Sequence, residues 1–398
     1  VNPIYLDNNA TTRLAPEILE EMMPYLTDLY GNPSSMHTFG GQLHKKIEEA
    51  RAKVASLINA EPEEIIFTSC GTESDNTAIM SAVESLPRKR HVITTRVEHP
   101  AVLNFCQHLG RKGHRISYLP VNSSGQLDTN LLMKSVDDDT ILVSVMFANN
   151  ETGVIFPIAE IAEIVKQRDV LFHTDAVQAA GKIPIDVKRI PVDMLTLSGH
   201  KLHAPKGVGV LYVRKGTRFS PYVIGGHQER GRRAGTENVA SIIALGKACE
   251  LARSDLDREM SHLSRLRDKL ERRLTECCPD ARVNGDSDNR LPNTTNISFE
   301  YVEGEAILLR LNEYGICASS GSACSSGSLE PSHVLRSMGV PFTAVHGSVR
   351  FSLSRYNTEE EIDKVVEIVP PIIKELRQLS PFGREKTECP PGLETETA

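Results

Sequence analysis

The chain has 398 residues, too many for one typical core, and 40% of them are hydrophobic, which suits a globular protein of about two domains. A net charge of −7 argues against nucleic-acid binding through a bulk basic field, and 8 cysteines scattered over this length are not a disulfide framework. No stretch of about 20 residues is apolar and free of charge, so no membrane span is expected, and residues 1–7 lack the basic and apolar regions of a signal peptide, so the expected location is a reducing cytoplasm.

In chain order, strand-like runs occur at Ile65 to Thr68, His91 to Thr95, Ile141 to Phe147, Leu171 to Thr174, Met194 to Leu197 and Val208 to Val213. Amphipathic helical stretches such as Ile158 to Lys166 separate several of them. This alternation predicts an α/β fold with a mostly parallel sheet covered on both faces. Leu256, Met260, Leu263, Leu266, Leu270 and Leu274 then recur at three- and four-residue steps, the mark of a long helix with a core-facing stripe. The domain change is placed near the start of that helix. Beyond it, a strand at Asn296 to Phe299, a helix at Ala306 to Leu311 and a strand at Val349 to Leu353 predict a small α+β domain. A glycine- and serine-rich stretch from Cys317 to Ser332 interrupts them with the composition of a flexible segment. The polar, proline-bearing stretch 383–398 is expected to be disordered, and its Cys389 has no assigned role.

Four places carry chemistry. The run Ser198-Gly-His-Lys201 follows an apolar strand and presents one lysine at the mouth of a sheet. Alone, Lys201 reads as a solvated loop lysine. Desolvated, it becomes an amine able to attack an aldehyde. Upstream, Asp175 closes another apolar run and Gln178 follows three residues later. Alone, Asp175 reads as a helix cap. As a carboxylate at the end of a parallel strand, it stands where open α/β sheets bind ligands, and it could keep the ring nitrogen of pyridoxal phosphate protonated. The stretch Glu64 to Ile79 reads strand, turn, helix. Gly71 and Thr72 at its turn could place backbone N–H groups and a hydroxyl on a phosphate, with Ser198 and His200 as further donors. Cys70 in the same turn reads as a small, semi-buried residue. Cys324, inside the glycine- and serine-rich stretch, is a thiol on a segment suited to swinging between sites. Without further context it reads as an incidental linker cysteine more readily than as a nucleophile.

Taken together, Asp7-Asn-Asn-Ala-Thr-Thr12, Gly31-Asn-Pro-Ser34, Glu98-His-Pro100, Ala148-Asn-Asn-Glu-Thr-Gly153, His173-Thr-Asp-Ala-Val-Gln178, Ser198-Gly-His-Lys201 and Ser320-Gly-Ser-Ala-Cys324 resemble, in order, the motifs of cysteine desulfurases. The resemblance runs from about residue 4 to about 382 and is to the nitrogen-fixation (NifS-like) type, which the Gly226–Asn238 run and the long Cys324 loop also favour. It implies a fold-type I pyridoxal-phosphate enzyme of the class-V aminotransferase family. Such an enzyme has a large domain with a mostly parallel seven-stranded sheet and a smaller α+β domain. The expected division is 16–255 for the large domain and 256–382 for the small one, completed by residues 1–15, with 383–398 as a tail.

The resemblance also implies roles. Lys201 would link covalently to pyridoxal phosphate, Asp175 would pair with the ring nitrogen, and Gln178 would bond the ring oxygen. His99 would stack on the ring and assist proton transfer, with Lys201 as the proton shuttle. Gly71, Thr72, Ser198 and His200 would hold the phosphate, with Thr236 reaching it from the partner of a homodimer. Asn150 would contact both cofactor and substrate, Asn9 would contact substrate, and Arg350 would clamp the carboxylate of L-cysteine. An arginine fork suits that task, although the residues alone leave Arg355 as an open competitor. Cys324 would take the substrate's sulfur as a persulfide. The implied acceptor is an iron–sulfur scaffold protein of the NifU or IscU kind, expected to serve nitrogenase, and Cys324 would be the sole candidate ligand for a transient cluster. The basic run Arg230-Gly-Arg-Arg233 reads as a solvated charge run, or as part of a loop at the dimer boundary. Competing readings are an aminotransferase, which needs no mobile thiol, a selenocysteine lyase and a non-catalytic sulfur-relay protein. A nucleotide-binding module is disfavoured because Gly207-Val-Gly209 lies inside a strand rather than before a helix.

Overall fold

Short apolar runs bounded by glycine, proline and polar residues become fully buried strands. The structure is a computed structural model, and it describes residues 3–320 and 331–380. The strands are β1 (Ile4–Tyr5), β2 (Ile65–Thr68), β3 (His91–Thr95), β4 (Arg115–Leu119), β5 (Thr140–Ser144), β6 (Leu171–Asp175), β7 (Met194–Ser198), β8 (Gly209–Val213), β9 (Ala281–Val283), β10 (Thr294–Phe299), β11 (Ile316–Cys317) and β12 (Ser348–Ser352). The helices are α1 (Pro16–Met22), α2 (Pro24–Thr27), α3 (Thr38–Leu57), α4 (Gly71–Ser85), α5 (Pro100–Arg111), α6 (Thr129–Ser135), α7 (Ile158–Lys166), α8 (Val239–Cys277), α9 (Gly304–Glu313), α10 (His333–Ser337), α11 (Phe342–Val345) and α12 (Glu359–Leu379).

A seven-stranded sheet in the order β2-β8-β7-β6-β5-β3-β4 forms the larger body. Its strands run parallel except β8, which is antiparallel to both β2 and β7. Helices cover both faces, so the inner strands are buried throughout and read as continuous apolar runs rather than alternating ones. β4 escaped the sequence reading because it is an edge strand. Arg115-Ile-Ser-Tyr-Leu119 is mostly half-exposed and shows no apolar run. The run from Ile141 overshoots: β5 stops at Ser144. Beyond it the backbone still donates to β6 (Phe147 N–H to Asp175 O, 2.8 Å) while turning towards the bridge between Ala148 and Ile155.

The long helix begins earlier than its leucine stripe. α8 has 39 residues, roughly 58 Å of helix, and is capped by the Asn238 side chain accepting from Ser241 N–H. Its first half is lined by small residues, which hid it from a search for leucines. Gly246 lies so close to α3 that a Cβ there would stand 2.7 Å from Ala50 Cα. The helix also joins two apolar cores. Ala240 to Ala252 pack with the seven-stranded sheet, and Leu263 to Leu274 pack with Ile297, Phe351 and Ile372. The second core is closed by the antiparallel sheet β12-β10-β9 and by β1, which pairs parallel to β11. Ile4 and Leu6 belong to this second core, whereas Val334, Leu335 and Met338 join the first. Among the described residues no helix is long and apolar enough to cross a membrane.

The basic run near residue 230 is paired within the chain. Arg230 meets Glu48 at 3.1 Å and Arg233 meets Glu73 at 2.8 Å. Arg232 donates to the carbonyl of Glu63 at 2.7 Å. Beside them, Glu229 is buried, pairs with Arg51 at 2.7 Å and accepts the N–H of Phe67 at the root of β2.

Gly209 couples the sheet to the start of α4, because a Cβ on it would meet the carbonyl carbon of Cys70 at 2.6 Å and its oxygen at 2.8 Å. Gly207, two residues earlier, has φ +87° but nothing within 4 Å of such an atom. Gly209→Ala is expected to cost about 1–3 kcal/mol by overpacking. Gly207→Ala is expected to cost about 1 kcal/mol through backbone strain alone. Thermal midpoints should fall in that order, and only the first variant should also weaken retention of a ligand at the α4 N-terminus.

Candidate active site

The carboxyl ends of β6 and β7 open into a cavity of about 780 Å³. Asp175 is the last residue of β6 and Ser198 the last of β7. A 3-10 turn, Gly199–Lys201, lifts His200 and Lys201 to the rim. α4 and α5 present Gly71, Thr72 and His99, and the turn after Ala148 presents Asn150. The second core supplies the opposite wall, with Asn9 from the N-terminal segment and Arg350 from β12.

Lys201 donates from Nζ to the carbonyls of Asn9 (2.5 Å) and Ala10 (2.7 Å). The same Asn9 carbonyl accepts Gln178 Nε2 at 3.0 Å. Lys182 donates to Gln178 Oε1 at 2.8 Å and to Asn9 Oδ1 at 3.2 Å, which fixes the orientation of the Gln178 amide. Burial and the nearby Lys201 and Arg350 charges push the Lys182 ammonium far below its ordinary value. Asn9 Nδ2 in turn donates to Asn150 O and Thr294 Oγ1.

Asp175 is buried, and burial pushes its carboxyl up to about 6. The Val177 N–H, 2.9 Å from Oδ1, and the Lys201 charge pull the other way. Asp75, also buried and lining the cavity, is raised further by burial and by the Asp175 charge. It lies 3.6 Å from His173 Nε2, whose imidazole burial holds down to about 3. His99 caps α5 through Nδ1, which accepts the Ala101 N–H at 3.1 Å. Burial, then Lys201 and His333, lower it to about 4. His200 meets Thr11 Oγ1 at 3.1 Å, and burial also lowers it to about 4.

The floor by α4 has the features of an anion cradle. Ser198 Oγ is buried with no hydrogen-bond partner among the described residues. Cys70, the residue before α4, makes no side-chain cap bond. A Cβ at Gly71 would stand 3.1 Å from Val177 Cγ2, so the helix start approaches the sheet closely. These orphan donors at a helix N-terminus, with Thr72 beside them, fit a phosphate. With Lys201 and a buried carboxylate at the same cavity, the donor set fits pyridoxal phosphate.

Arg350 is 1% exposed; its Nη2 pairs with Asp7 Oδ1 at 2.6 Å and its Nη1 donates to Asn150 O at 3.0 Å. Arg355 pairs with Glu259 at 2.7 Å and does not line the cavity. Thr236 is exposed and outside the cavity of its own chain. Cys324 and Cys389 lie outside the described residues. Among the described residues no group of three or more His, Cys, Asp or Glu side chains is arranged to hold a metal ion.

Sequence reasoning missed Asp7, Asp75, Lys182, Glu151 and His333. Asp7 and Glu151 stand inside motifs already singled out, and only the fold shows that one meets Arg350 and the other Ser332 (2.5 Å). Asp75 sits one turn inside α4, where a polar helix residue reads as solvated. Lys182 and His333 carry no local signal; their place follows from long-range packing.

The model of the family "Aminotransferase class-V" matches residues 4–365. A protein described as a cysteine desulfurase from a Nostoc species is 62% identical over 383 residues, 96% of each chain. The cysteine desulfurase NifS of Azotobacter vinelandii is 59% identical over 380 residues, 95% of this chain and 94% of that one. A solved structure titled a NifS-like protein superposes with a TM-score of 0.89 at 41% identity, covering 94% of this chain and 100% of that chain.

Glu98, at the entry to α5, is fully buried, accepts from Thr95 Oγ1 (2.7 Å) and Met146 N–H (3.0 Å), and is raised by burial to about 8. The folded chain therefore keeps this proton up to about pH 8, whereas an unfolded chain loses it near its ordinary value of 4.5. Between those values the unfolded state binds fewer protons, so the Glu98 contribution to stability falls as pH rises and levels off above about 8. Thermal midpoints of wild type minus Glu98→Gln, measured from pH 5 to 9, should show that slope; a difference independent of pH would contradict it.

Proposed function

The chain belongs to the class-V aminotransferase family and, within it, to the cysteine desulfurases; on that premise we propose that it converts L-cysteine to L-alanine and passes the sulfur to its own Cys324 as a persulfide. The observation that carries the reading is one cavity holding Lys201, Asp175, His99 and Arg350, drawn from distant stretches of sequence. When bound, pyridoxal phosphate supplies an aldehyde that an amine can capture and an electron-poor ring that takes up electrons from bonds broken beside the amino carbon. Lys201 would hold it covalently. Asp175 would face the ring nitrogen, Gln178 the ring oxygen, and His99 the ring face. The first-turn N–H groups at Gly71, with Thr72, Ser198 and His200, would hold the phosphate. Thr236, exposed on the surface, suits a contribution to a second copy's site. Exposed apolar side chains at Leu26, Tyr30, Met36 and Ile224 favour a homodimer as well.

Asn9 and Asn150 would orient L-cysteine while Arg350 holds its carboxylate. Lys201 would move the α-proton, and His99 would assist through Nε2. The thiolate of Cys324 attacks the substrate sulfur; the new S–S bond forms as the C–S bond breaks, and the C–S electron pair leaves with the carbon that becomes alanine after protonation. The persulfide is then passed on. Proteins named NifS among the relatives support an iron–sulfur scaffold protein as acceptor, in the service of nitrogen fixation.

Purified enzyme incubated with L-cysteine should yield alanine and a Cys324 peptide heavier by one sulfur, and with a thiol reductant added to reduce the persulfide it should release sulfide in step with alanine. Cys324→Ala should still change colour with L-cysteine yet release no sulfide; full turnover there would exclude Cys324 as the acceptor. Lys201→Ala should lose the covalent cofactor link. Arg350→Gln should raise KM for L-cysteine by roughly 10- to 100-fold, the worth of a charged hydrogen bond.

A further inference from the structure

Three imidazoles line the cavity, and the backbone fixes two of them, His99 and His333, in opposite senses. His99 Nδ1 accepts the Ala101 N–H, so in the neutral ring the proton sits on Nε2 and the side chain is a donor. His333, the first residue of α10, points Nε2 at the carbonyl oxygen of Glu98, 3.0 Å away. A carbonyl only accepts, so Nε2 carries a proton, and in the neutral ring Nδ1 is left with a lone pair. That Nδ1 meets no hydrogen-bond donor among the described residues. His333 is half-buried and lines the cavity, so the lone pair is within reach of a bound molecule.

The groups facing His333 keep it in place. Glu98 offers its carbonyl from the turn into α5, while its carboxyl is occupied by Thr95 and Met146. Ser332, the preceding residue, donates to the Glu151 carboxylate at 2.5 Å, next in chain to Asn150. His99 is near enough that His333, after burial and Lys201, contributes to lowering it. An amino acid bound with its amino group at Lys201 and its carboxylate at Arg350 has one arm left to place. The rest of the cavity lining includes His333, whose Nδ1 meets no protein donor among the described residues.

Resting on the desulfurase reading, we propose that His333 Nδ1 accepts a hydrogen bond from the sulfhydryl of bound L-cysteine, so that His333 is the residue that positions the substrate's sulfur while His99 supplies the cavity's donor. No bond is broken in this step; the proton stays on sulfur.

The test uses Cys324→Ala holoenzyme, in which turnover is blocked, and follows ligand binding by the change in its visible absorbance. The probes are L-cysteine, S-methyl-L-cysteine, which has no S–H, and L-alanine, which has no sulfur. Adding His333→Gln keeps a donor for the Glu98 carbonyl but removes the acceptor at the Nδ1 position; His333→Asn can place an amide oxygen there. His333→Gln should weaken L-cysteine by about 3- to 10-fold, the worth of a neutral hydrogen bond. The affinities for S-methyl-L-cysteine and L-alanine should stay within about twofold, and His333→Asn should recover most of the loss. Equal losses for all three probes, or no loss for any, would overturn the His333 assignment while leaving the desulfurase reading intact. If the parent enzyme binds no L-cysteine at all, the desulfurase reading falls, and His333 with it.

Discussion

The ammonium of Lys201 rests on the carbonyls of Asn9 and Ala10, and most of the site's order follows from that contact. The peptide that accepts the lysine also accepts Gln178, and the side chain of Asn9 reaches Lys182, Asn150 and Asn293. Residues 7–12 therefore serve as a strap between two cores. On one side the strap follows β1, whose Ile4 packs in the smaller core; on the other, Thr12 N–H and Oγ1 both donate to His200 O. Lys201 is half-buried, and these two carbonyls are backbone dipoles, which carry no proton and compete only weakly with a covalent bond to the nitrogen.

The charges around this contact divide the work by burial. Burial raises both Asp75 and Asp175, and the two cannot both ionise cheaply in one dry pocket; the Val177 N–H and the Lys201 charge favour the ionised form of Asp175. The surrounding histidines are neutral for the same reason: His99, His173 and His200 are all held well below their ordinary value by burial. Neutral imidazoles have fixed tautomers, and fixed tautomers give the cavity a defined pattern of donors and acceptors. A solvated version of the same residues would have no such pattern.

Much of this was legible in the sequence where local pattern and local chemistry coincide. Buried parallel strands are short apolar runs, so β2, β3 and β6 could be read directly, and the residues that close β6 and β7 are by construction at the mouth of the sheet. What could not be read depends on contacts across long stretches of chain. β4 has the composition of a surface segment because it is an edge strand. The first half of α8 was hidden because close packing on α3 demands glycine and alanine rather than leucine. Choosing Arg350 over Arg355 for the cavity required knowing that β12 runs beside β10 and delivers one arginine inward, while the other is taken up by Glu259 on α8. His333 belongs to the same class: nothing in its neighbourhood marks it, and its meaning comes from a carbonyl more than two hundred residues upstream.

The pairing of Arg350 with Asp7 adds a last constraint. A guanidinium 1% exposed would be very costly without a counter-charge, and Asp7 supplies one at 2.6 Å before any carboxylate arrives. The other nitrogen is held by the Asn150 carbonyl at 3.0 Å, so the fork's plane is set by two elements from different cores. A substrate carboxylate entering here meets an arginine already oriented and already partly neutralised. The consequence is selectivity by geometry more than by raw attraction: an anion that lies in the plane of the fork gains a directed hydrogen bond that one approaching out of plane does not. Because Asp7 belongs to the same strap that carries Asn9, the place where the carboxylate binds and the place where the lysine rests are fixed relative to each other by a few residues of backbone.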